Sequence, residues 1–279
     1  MNTVSTASSA GTASRVAQVL ERTRSEERAA FIAYYGVGYP TVPDSLEVYR
    51  TLVENGADIV EVGIPYTDPV LDGPVIQLAG DLARENGFHV HHTFDAVRTI
   101  TQAGGAAVVM SYWNVILHYG VENFARDLAE AGGSGIVTPD LIPDEAAEWL
   151  AAADKYGLDP IFLVAPSSTT ERLAMTVSKC RGFVYVASTM GITGVRSEVG
   201  SPAKILVERT RDVTDLPLAV GLGVSNREQA AEVASYADGV IVGSALVRTI
   251  DPQRPIAESL PALAELTREL AAGVREGRA

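Results

Sequence analysis

The sequence predicts an α/β protein with a single-domain (β/α)8 TIM barrel, in which eight parallel strands alternate with helices. Eight short apolar runs recur along the chain, segments with helical spacing separate them, and no linker or low-complexity stretch interrupts the alternation. The 279 residues, 47% of them hydrophobic, are enough to bury one large core. We expect residues 1–13 to form a disordered N-terminus and residues 14–279 to form the barrel.

The candidate strands are hydrophobic along their whole length, which is typical of parallel strands covered on both faces. They occupy residues 31–35, 58–63, 106–112, 135–140, 160–165, 183–187, 217–221 and 239–243. Eight alternations favour a closed barrel over an open doubly wound sheet, and no GxGxxG motif follows the first strand.

Segments with helical periodicity lie between the strands and close on glycine, or on a polar residue followed by glycine. The clearest are residues 44–56, 121–133, 144–157 and 225–239. Asp44, Asp144 and Ser225 are predicted to cap the helices that they begin, because short polar side chains accept hydrogen bonds from the first free N–H groups.

Composition excludes several classes of partner. The formal net charge of −13 argues against nucleic acid and against an anionic membrane, since both require a basic surface. The chain has neither a secretory signal nor an apolar segment long enough to span a membrane. Cys180 is its one cysteine, so no internal disulfide can form, and we expect a cytoplasmic protein.

Carboxylates mark the end of the second strand. Glu61 lies between Val60 and Val62, so strand alternation points it to the opposite face, into the barrel mouth. There its charged form is disfavoured, which suits a proton donor or acceptor at neutral pH. Asp68 and Asp72 follow in the proline-rich outgoing loop. Each acid also has a purely structural alternative. Glu61 would be hydrogen-bonded by neighbouring polar groups inside the barrel, and Asp68 and Asp72 would cap backbone N–H groups of turns.

Glycine-rich loops follow the later strands, at residues 191–194, 221–225 and 243–244. Backbone N–H groups at a helix start bind anions, and barrels often hold a phosphate after strands seven and eight. Each loop alone is ordinary turn chemistry, but together they favour a phosphate site. Aromatic residues at strand ends are candidates for an apolar pocket, with barrel packing as the alternative. They are Tyr34, Tyr112, Trp113 and Tyr185.

Other residue types narrow the chemistry. Lys155, Lys179 and Lys204 fall in helices or at helix ends, so a Schiff-base aldolase lacks its amine. We interpret the histidines of residues 88–92 as solvent-exposed residues that precede a helix, with a metal site as the alternative. Cys180 is read as a small buried residue. We predict no metal site.

Several of these stretches together resemble the tryptophan synthase alpha subunit family, over roughly residues 29 to 250. The resemblance lies in residues 61–77, 112–114, 135–145, 164–168, 185–194, 221–226 and 241–245. It implies a (β/α)8 barrel that cleaves indole-3-glycerol phosphate to indole and glyceraldehyde 3-phosphate in tryptophan biosynthesis. It also implies an allosteric alpha2beta2 complex in which the beta subunit carries pyridoxal phosphate, so that this chain needs no cofactor.

The resemblance also implies roles for individual residues. Glu61 would shuttle protons, Asp72 would hold the indole N–H and stabilise positive charge, and Tyr185 would stand beside the catalytic glutamate. Substrate contacts would come from Tyr34, Tyr112, Leu222 and the mobile-loop Thr193. Phosphate would bind at Gly194, Gly223, Gly243 and Ser244. The loop that meets the beta subunit would include Pro65, Tyr66 and Asp68.

The chain departs from the usual family pattern at three places. Val115 replaces a common proline after Asn114, residues 35–40 replace a short Gly-Asp-Pro turn, and Leu222 replaces a common phenylalanine. The changes after Asn114 and in residues 35–40 leave open a stand-alone lyase that supplies free indole to another pathway. A catalytically weak regulatory partner of a beta subunit is a further alternative, against which the joint presence of Glu61, Asp72, Tyr185 and the glycines argues. Another phosphate-binding barrel enzyme, such as a sugar-phosphate epimerase, would need metal ligands that the sequence does not offer.

Overall fold

The computed structural model describes residues 13–187, 200–221 and 223–278, and in them parallel strands form one nearly closed barrel. The strands are β1 (Ala30–Gly36), β2 (Ile59–Gly63), β3 (Ala106–Met110), β4 (Gly135–Val137), β5 (Asp159–Ile161), β6 (Leu163–Val164), β7 (Val184–Ala187), β8 (Leu218–Gly221) and β9 (Gly239–Val242). Their order around the sheet is β5-β4-β3-β2-β1-β9-β8-β7-β6. The predicted fold class is therefore confirmed.

The fifth predicted strand is divided into two. β5 pairs with β4 and β6 pairs with β7, and Phe162 lies between them. The Phe162 carbonyl still accepts a hydrogen bond from the Tyr185 N–H at 3.1 Å. Because β5 and β6 follow each other directly in the chain, this break is the point where the ends of the sheet meet.

Helices surround the barrel, and within the described residues at least one helix separates each strand from the next, except between β5 and β6. They are α1 (Arg15–Ser25), α2 (Val42–Glu54), α3 (Pro74–Glu85), α4 (His92–Gln102), α5 (Trp113–Tyr119), α6 (Val121–Glu130), α7 (Ala147–Tyr156), α8 (Thr170–Val177), α9 (Gly200–Arg211), α10 (Arg227–Ala234), α11 (Ser244–Val247) and α12 (Ile256–Glu276). A 3-10 turn, Pro143–Glu145, precedes α7. No helix among these residues is long and apolar enough to cross a membrane.

The predicted helix caps are wrong by one to three residues. Thr41, not Asp44, caps α2: its hydroxyl accepts from the Asp44 N–H at 3.3 Å and donates to the Asp44 carboxylate at 2.7 Å. Asn226, not Ser225, caps α10, and Asp144 lies in the 3-10 turn before α7. A cap is defined by where helical dihedrals begin, and several neighbouring polar residues fit the same sequence signal.

Strand alternation divides the core into two layers. Residues such as Ile59 point into the barrel, whereas Val60 and Val62 point outward against the helices. Helix α1 lies under the barrel. Its residues Val16 and Leu20 belong to the same buried cluster as Ile32, Ile59 and Phe183 inside the barrel, which we call the interior cluster. This closes the N-terminal end of the barrel and leaves the C-terminal ends of the strands as the open mouth.

We expect a substitution inside the barrel to be costly. Phe183 is fully buried in the interior cluster, so Phe183→Ala should lower the free energy of unfolding by about 3–5 kcal/mol in urea denaturation. Ile205→Ala on α9 is the control, because Ile205 is 54% exposed and should contribute under about 0.5 kcal/mol. A loss under about 1 kcal/mol for Phe183→Ala would contradict a packed interior.

Candidate functional site

Glu61 lies in the middle of β2 with its side chain inside the barrel. It points to the same face of β2 as Ile59 of the interior cluster, two positions earlier. In the sheet it pairs in register with Tyr34 of β1 and Val108 of β3. The residue is 1% exposed, and its Oε2 atom has no hydrogen-bond partner among the described residues. The predicted orientation of Glu61 into the barrel is therefore confirmed.

Burial changes the acidity of this carboxyl group. Loss of hydration raises the pKa of Glu61 to about 8, and the nearby carboxylate of Asp72 contributes in the same direction. At neutral pH Glu61 is thus mostly protonated, yet its pKa is close enough to 7 for both protonation states to be accessible. A group of this kind can donate a proton and then take one back.

Asp72 lies in the loop after β2 and is held in place by Tyr112. The Tyr112 hydroxyl donates to Asp72 Oδ1 at 3.2 Å and accepts from the Leu71 N–H at 3.1 Å. Partial burial raises the pKa of Asp72 to about 6, while the Tyr112 hydrogen bond opposes that rise. Asp72 is consequently mostly ionised at pH 7 when Glu61 is mostly protonated. The two carboxyl groups are therefore suited to different roles.

Tyr34 and Tyr185 complete the group around the two acids. Burial raises the pKa of both hydroxyls well above the usual value, and the charges of Glu61 and Asp72 raise them further. Both tyrosines therefore stay neutral and can act only as hydrogen-bonding or packing groups. The structure thus brings the predicted residues Glu61, Asp72, Tyr34, Tyr112 and Tyr185 together.

Glycines on neighbouring strands make room for the two rings. A Cβ atom on Gly63 would lie 2.5 Å from Cζ of Tyr34, and one on Gly221 would lie 2.6 Å from Cζ of Tyr185. A Cβ on Gly243 would also come within 3.0 Å of the Tyr34 ring. Larger residues at these positions would displace the rings, so the glycines define the shape of the barrel mouth.

The structure describes some of the residues that are predicted to bind phosphate. Gly243 directly precedes α11, which begins at Ser244, so the first N–H groups of that helix follow β9 at the mouth. Gly223 follows β8 with φ +79°, a conformation that favours glycine. Thr193, Gly194 and Leu222 lie outside the described residues.

The predicted partner loop lies at the rim of the same mouth. The Tyr66 ring stacks on Tyr112 with centroids 5.1 Å apart, and the Asn114 amide donates to the Tyr66 hydroxyl at 3.4 Å. Pro65 is half-buried, whereas Asp68 is exposed and accepts a hydrogen bond from the Thr67 hydroxyl. The loop after β2 is thereby joined to the start of α5.

Two positioning residues were not predicted from the sequence. The Gln77 side chain donates to the Asp72 carbonyl at 2.7 Å, and the Asp140 carboxylate accepts from the Trp113 N–H at 2.9 and 3.1 Å. Gln77 stands one helical turn into α3, and Asp140 follows β4. The position of Asp140 in the loop that leaves a buried strand was the available signal, since loops after barrel strands form the mouth.

The remaining reactive residue types lie elsewhere. Lys155 and Lys204 are on α7 and α9, and Lys179 follows α8, as predicted. Cys180 is buried, which raises the pKa of its thiol to about 12 and keeps it protonated. Nδ1 of His92 accepts a hydrogen bond from the His89 N–H at 3.0 Å. Among the described residues, no group of three acidic, histidine or cysteine side chains is placed to hold a metal ion.

Comparison with known proteins gives a consistent result. The family model described as "Tryptophan synthase alpha chain" matches residues 20–275. The tryptophan synthase alpha chains of Mycobacterium marinum and Mycobacterium avium are 58% and 57% identical over 264 residues, covering 95% of this chain and 96% of each relative. A chain of the Mycobacterium tuberculosis tryptophan synthase structure superposes with a TM-score of 0.88 at 57% identity, covering 94% of this chain and 99% of that chain.

The pKa of Glu61 gives a test that needs no substrate. Since the folded-state pKa is raised above the ordinary 4.5, Glu61 favours folding most at low pH, and this contribution is lost as the pH rises toward 8. Glu61→Gln removes the ionisation. The variant should therefore gain stability over the wild type between pH 5 and pH 8, by on the order of 1.4 kcal/mol per pH unit at most.

Urea denaturation at several pH values measures this difference. Glu85→Gln on α3 is the matched control, because Glu85 is exposed and its replacement should leave the pH dependence of stability unchanged. If the stability curves of the wild type and Glu61→Gln run parallel from pH 5 to pH 8, Glu61 has an ordinary pKa.

Proposed function

Since the chain belongs to the tryptophan synthase alpha chain family, we propose that it cleaves indole-3-glycerol phosphate to indole and glyceraldehyde 3-phosphate. The observation that carries this proposal is the pair of carboxyl groups inside the barrel mouth. One is mostly protonated at neutral pH with a free oxygen, and the other is mostly ionised and held by a tyrosine.

The reaction is a retro-aldol cleavage, which needs a proton moved twice. In the first step the Glu61 carboxyl donates a proton to C3 of the indole ring, and positive charge develops on the ring. In the second step the Glu61 carboxylate removes the proton from the hydroxyl of the adjacent glycerol carbon. The bond from that carbon to C3 breaks, its electrons return to the ring, and a carbonyl forms. Glu61 ends the cycle protonated, as it began.

Asp72 stabilises the charged stage of this cycle. Its carboxylate accepts a hydrogen bond from the indole N–H, where the positive charge concentrates when C3 is protonated. Tyr112 fixes Oδ1 of Asp72 before the substrate arrives, so little reorganisation is needed during the reaction. Tyr34 and Tyr185 border the same space as neutral rings, and the charge of Glu61 acts on the pKa of both hydroxyls.

The phosphate of the substrate binds on the other side of the mouth. Gly223, Gly243 and Ser244 supply backbone N–H groups after β8 and β9, together with Gly194 of the preceding loop. Thr193 and Leu222 contact the remainder of the substrate. Such a site depends on local N–H donors, so the net negative charge of the chain does not oppose it. No metal ion and no cofactor of this chain takes part.

The chain also docks on a tryptophan synthase beta subunit, which carries pyridoxal phosphate and receives the indole. Exposed apolar side chains support this proposal: Val70 is 63% exposed, Leu117 48% and Ile142 44%. They follow β2, β3 and β4 in turn, and Val70 lies on the same loop as Tyr66 and Asp68. Exposed apolar groups near one rim are typical of a protein interface. The complex functions in the cytoplasm, where a protein with one buried thiol stays reduced.

Replacement of either acid tests the chemistry. We expect Glu61→Gln to lower the rate of indole release from indole-3-glycerol phosphate by about 10²- to 10⁴-fold, because the proton carrier is lost. Asp72→Asn should also be strongly impaired, because an amide carries no charge to stabilise the ring. Glu85→Gln is the matched control and should keep wild-type turnover. Near wild-type turnover of Glu61→Gln would refute the role of Glu61.

The beta subunit should stimulate the reaction. We expect indole release by the purified chain to rise roughly tenfold or more when a tryptophan synthase beta subunit is added. Leu117→Asp should weaken this stimulation and leave the basal rate unchanged, whereas the control Ile205→Asp on α9 should retain both. Fast release that is indifferent to the beta subunit would instead identify a stand-alone lyase.

A further inference from the structure

A second cleft lies at the N-terminal end of the barrel, opposite the mouth. It has a volume of about 540 Å³ and is bordered by α1, by the end of α12 and by the turns that follow α2 and α4. Asp58 in its wall directly precedes β2, whereas Glu61 lies further along the same strand. The volume falls in the range of small-molecule sites. We name it the basic cleft, after its arginines Arg15, Arg22 and Arg275.

Asp58, the acidic residue in the described lining of the cleft, is already neutralised. Both oxygens of Asp58 accept hydrogen bonds from the Arg28 guanidinium, at 2.8 and 2.9 Å, and Oδ2 also accepts from the Phe31 N–H at 2.9 Å. Arg22 stands 3.6 Å from Asp58 and 3.9 Å from Glu26. Arg22 and Arg28 therefore balance Glu26 and Asp58.

Arg15 and Arg275 have different partners from Arg22 and Arg28. Arg15 donates to the carbonyls of Thr101 and Gly104, at 3.3 and 2.9 Å, and so uses two of its five N–H donors. Arg275 lies over the turn at Gly56, where a Cβ atom would stand 3.6 Å from its Nη2. Among the described residues, neither guanidinium has a carboxylate oxygen within 4 Å.

A charge count shows that the basic cleft is positive. The C-terminal ends of α2, α4 and α12 contribute about half a negative charge each, and the N-terminal end of α1 contributes about half a positive charge. The two unpaired guanidinium groups contribute a full positive charge each, so about one positive charge remains even when Arg22 is counted as neutralised. This local excess contrasts with the net charge of −13 of the whole chain.

We propose that the basic cleft binds a small organic phosphate between Arg15 of α1 and Arg275 of α12. A guanidinium group makes paired hydrogen bonds to phosphate oxygens, and a phosphate presents oxygens on all sides, so it can face arginines from two helices at once. The apolar side chains of Val19, Val53 and Ala57 in the same lining give room for a short carbon body. The bound phosphate would tie α1 to α12 under the barrel.

Inorganic pyrophosphate is the probe for this site. Crystals of the full chain soaked in pyrophosphate should show it between Arg15 and Arg275, whether or not a second molecule occupies the barrel mouth. In calorimetric titrations, Arg15→Gln/Arg275→Gln should weaken binding at this site about tenfold or more, because two charged hydrogen-bonding groups are removed. Phosphate binding at the mouth should be unchanged.

The control is Arg24→Gln/Arg254→Gln, which removes the same charge from two exposed arginines outside the basic cleft. It should bind pyrophosphate as the wild type does. Density at the mouth alone would overturn the proposal. Equal weakening in both double variants would also overturn it, since it would reduce the effect to overall charge. Density in the basic cleft with no dependence on Arg15 and Arg275 would mean an adventitious ion only.

Discussion

The burial of one carboxyl group inside a closed parallel barrel is the interaction on which the site depends. Glu61 stands on the interior face of β2, where hydration is lost, and this raises its pKa to about 8. The same burial would be a defect in an ordinary core, because a charged carboxylate there has no compensating partner. In the mouth of a barrel it produces a proton carrier that works near neutral pH.

The neighbouring groups differ from Glu61 in how they are held, and this separates their chemistry. Asp72 is held by two hydrogen bonds, one from Tyr112 to its carboxylate and one from Gln77 to its backbone carbonyl. Burial raises the pKa of Asp72 only to about 6. Glu61 has one oxygen free of any described hydrogen bond. The transferable proton of Glu61 therefore lies near the negative charge of Asp72. This arrangement suits a reaction in which a neutral ring becomes briefly cationic.

The two ends of the barrel carry different ionisable groups. At the mouth, two acids face neutral tyrosine rings that fit against Gly63 and Gly221. Under the barrel, α1 and α12 bring arginines together around the basic cleft. Parallel strands produce this polarity, because every strand enters at one end and leaves at the other. Residues before the strands and residues after them therefore lie at opposite ends of the barrel.

The sequence by itself determined the fold class, the direction of the Glu61 side chain and the grouping of residues at strand ends. These follow from local periodicity: apolar runs alternate with helical segments, and alternation along β2 places Glu61 opposite Val60 and Val62. The division of the fifth strand at Phe162 and the caps at Thr41 and Asn226 were not predicted, because neighbouring residues offer equivalent local signals.

Only the tertiary structure decided the contacts between distant segments. The Tyr112 hydroxyl reaches Asp72 forty positions away, and Arg15 reaches the end of α4. Sequence patterns report which face of an element is buried, but they carry no information on which side chains meet across two elements. Those meetings, and the pKa values that they set, arise from packing in three dimensions.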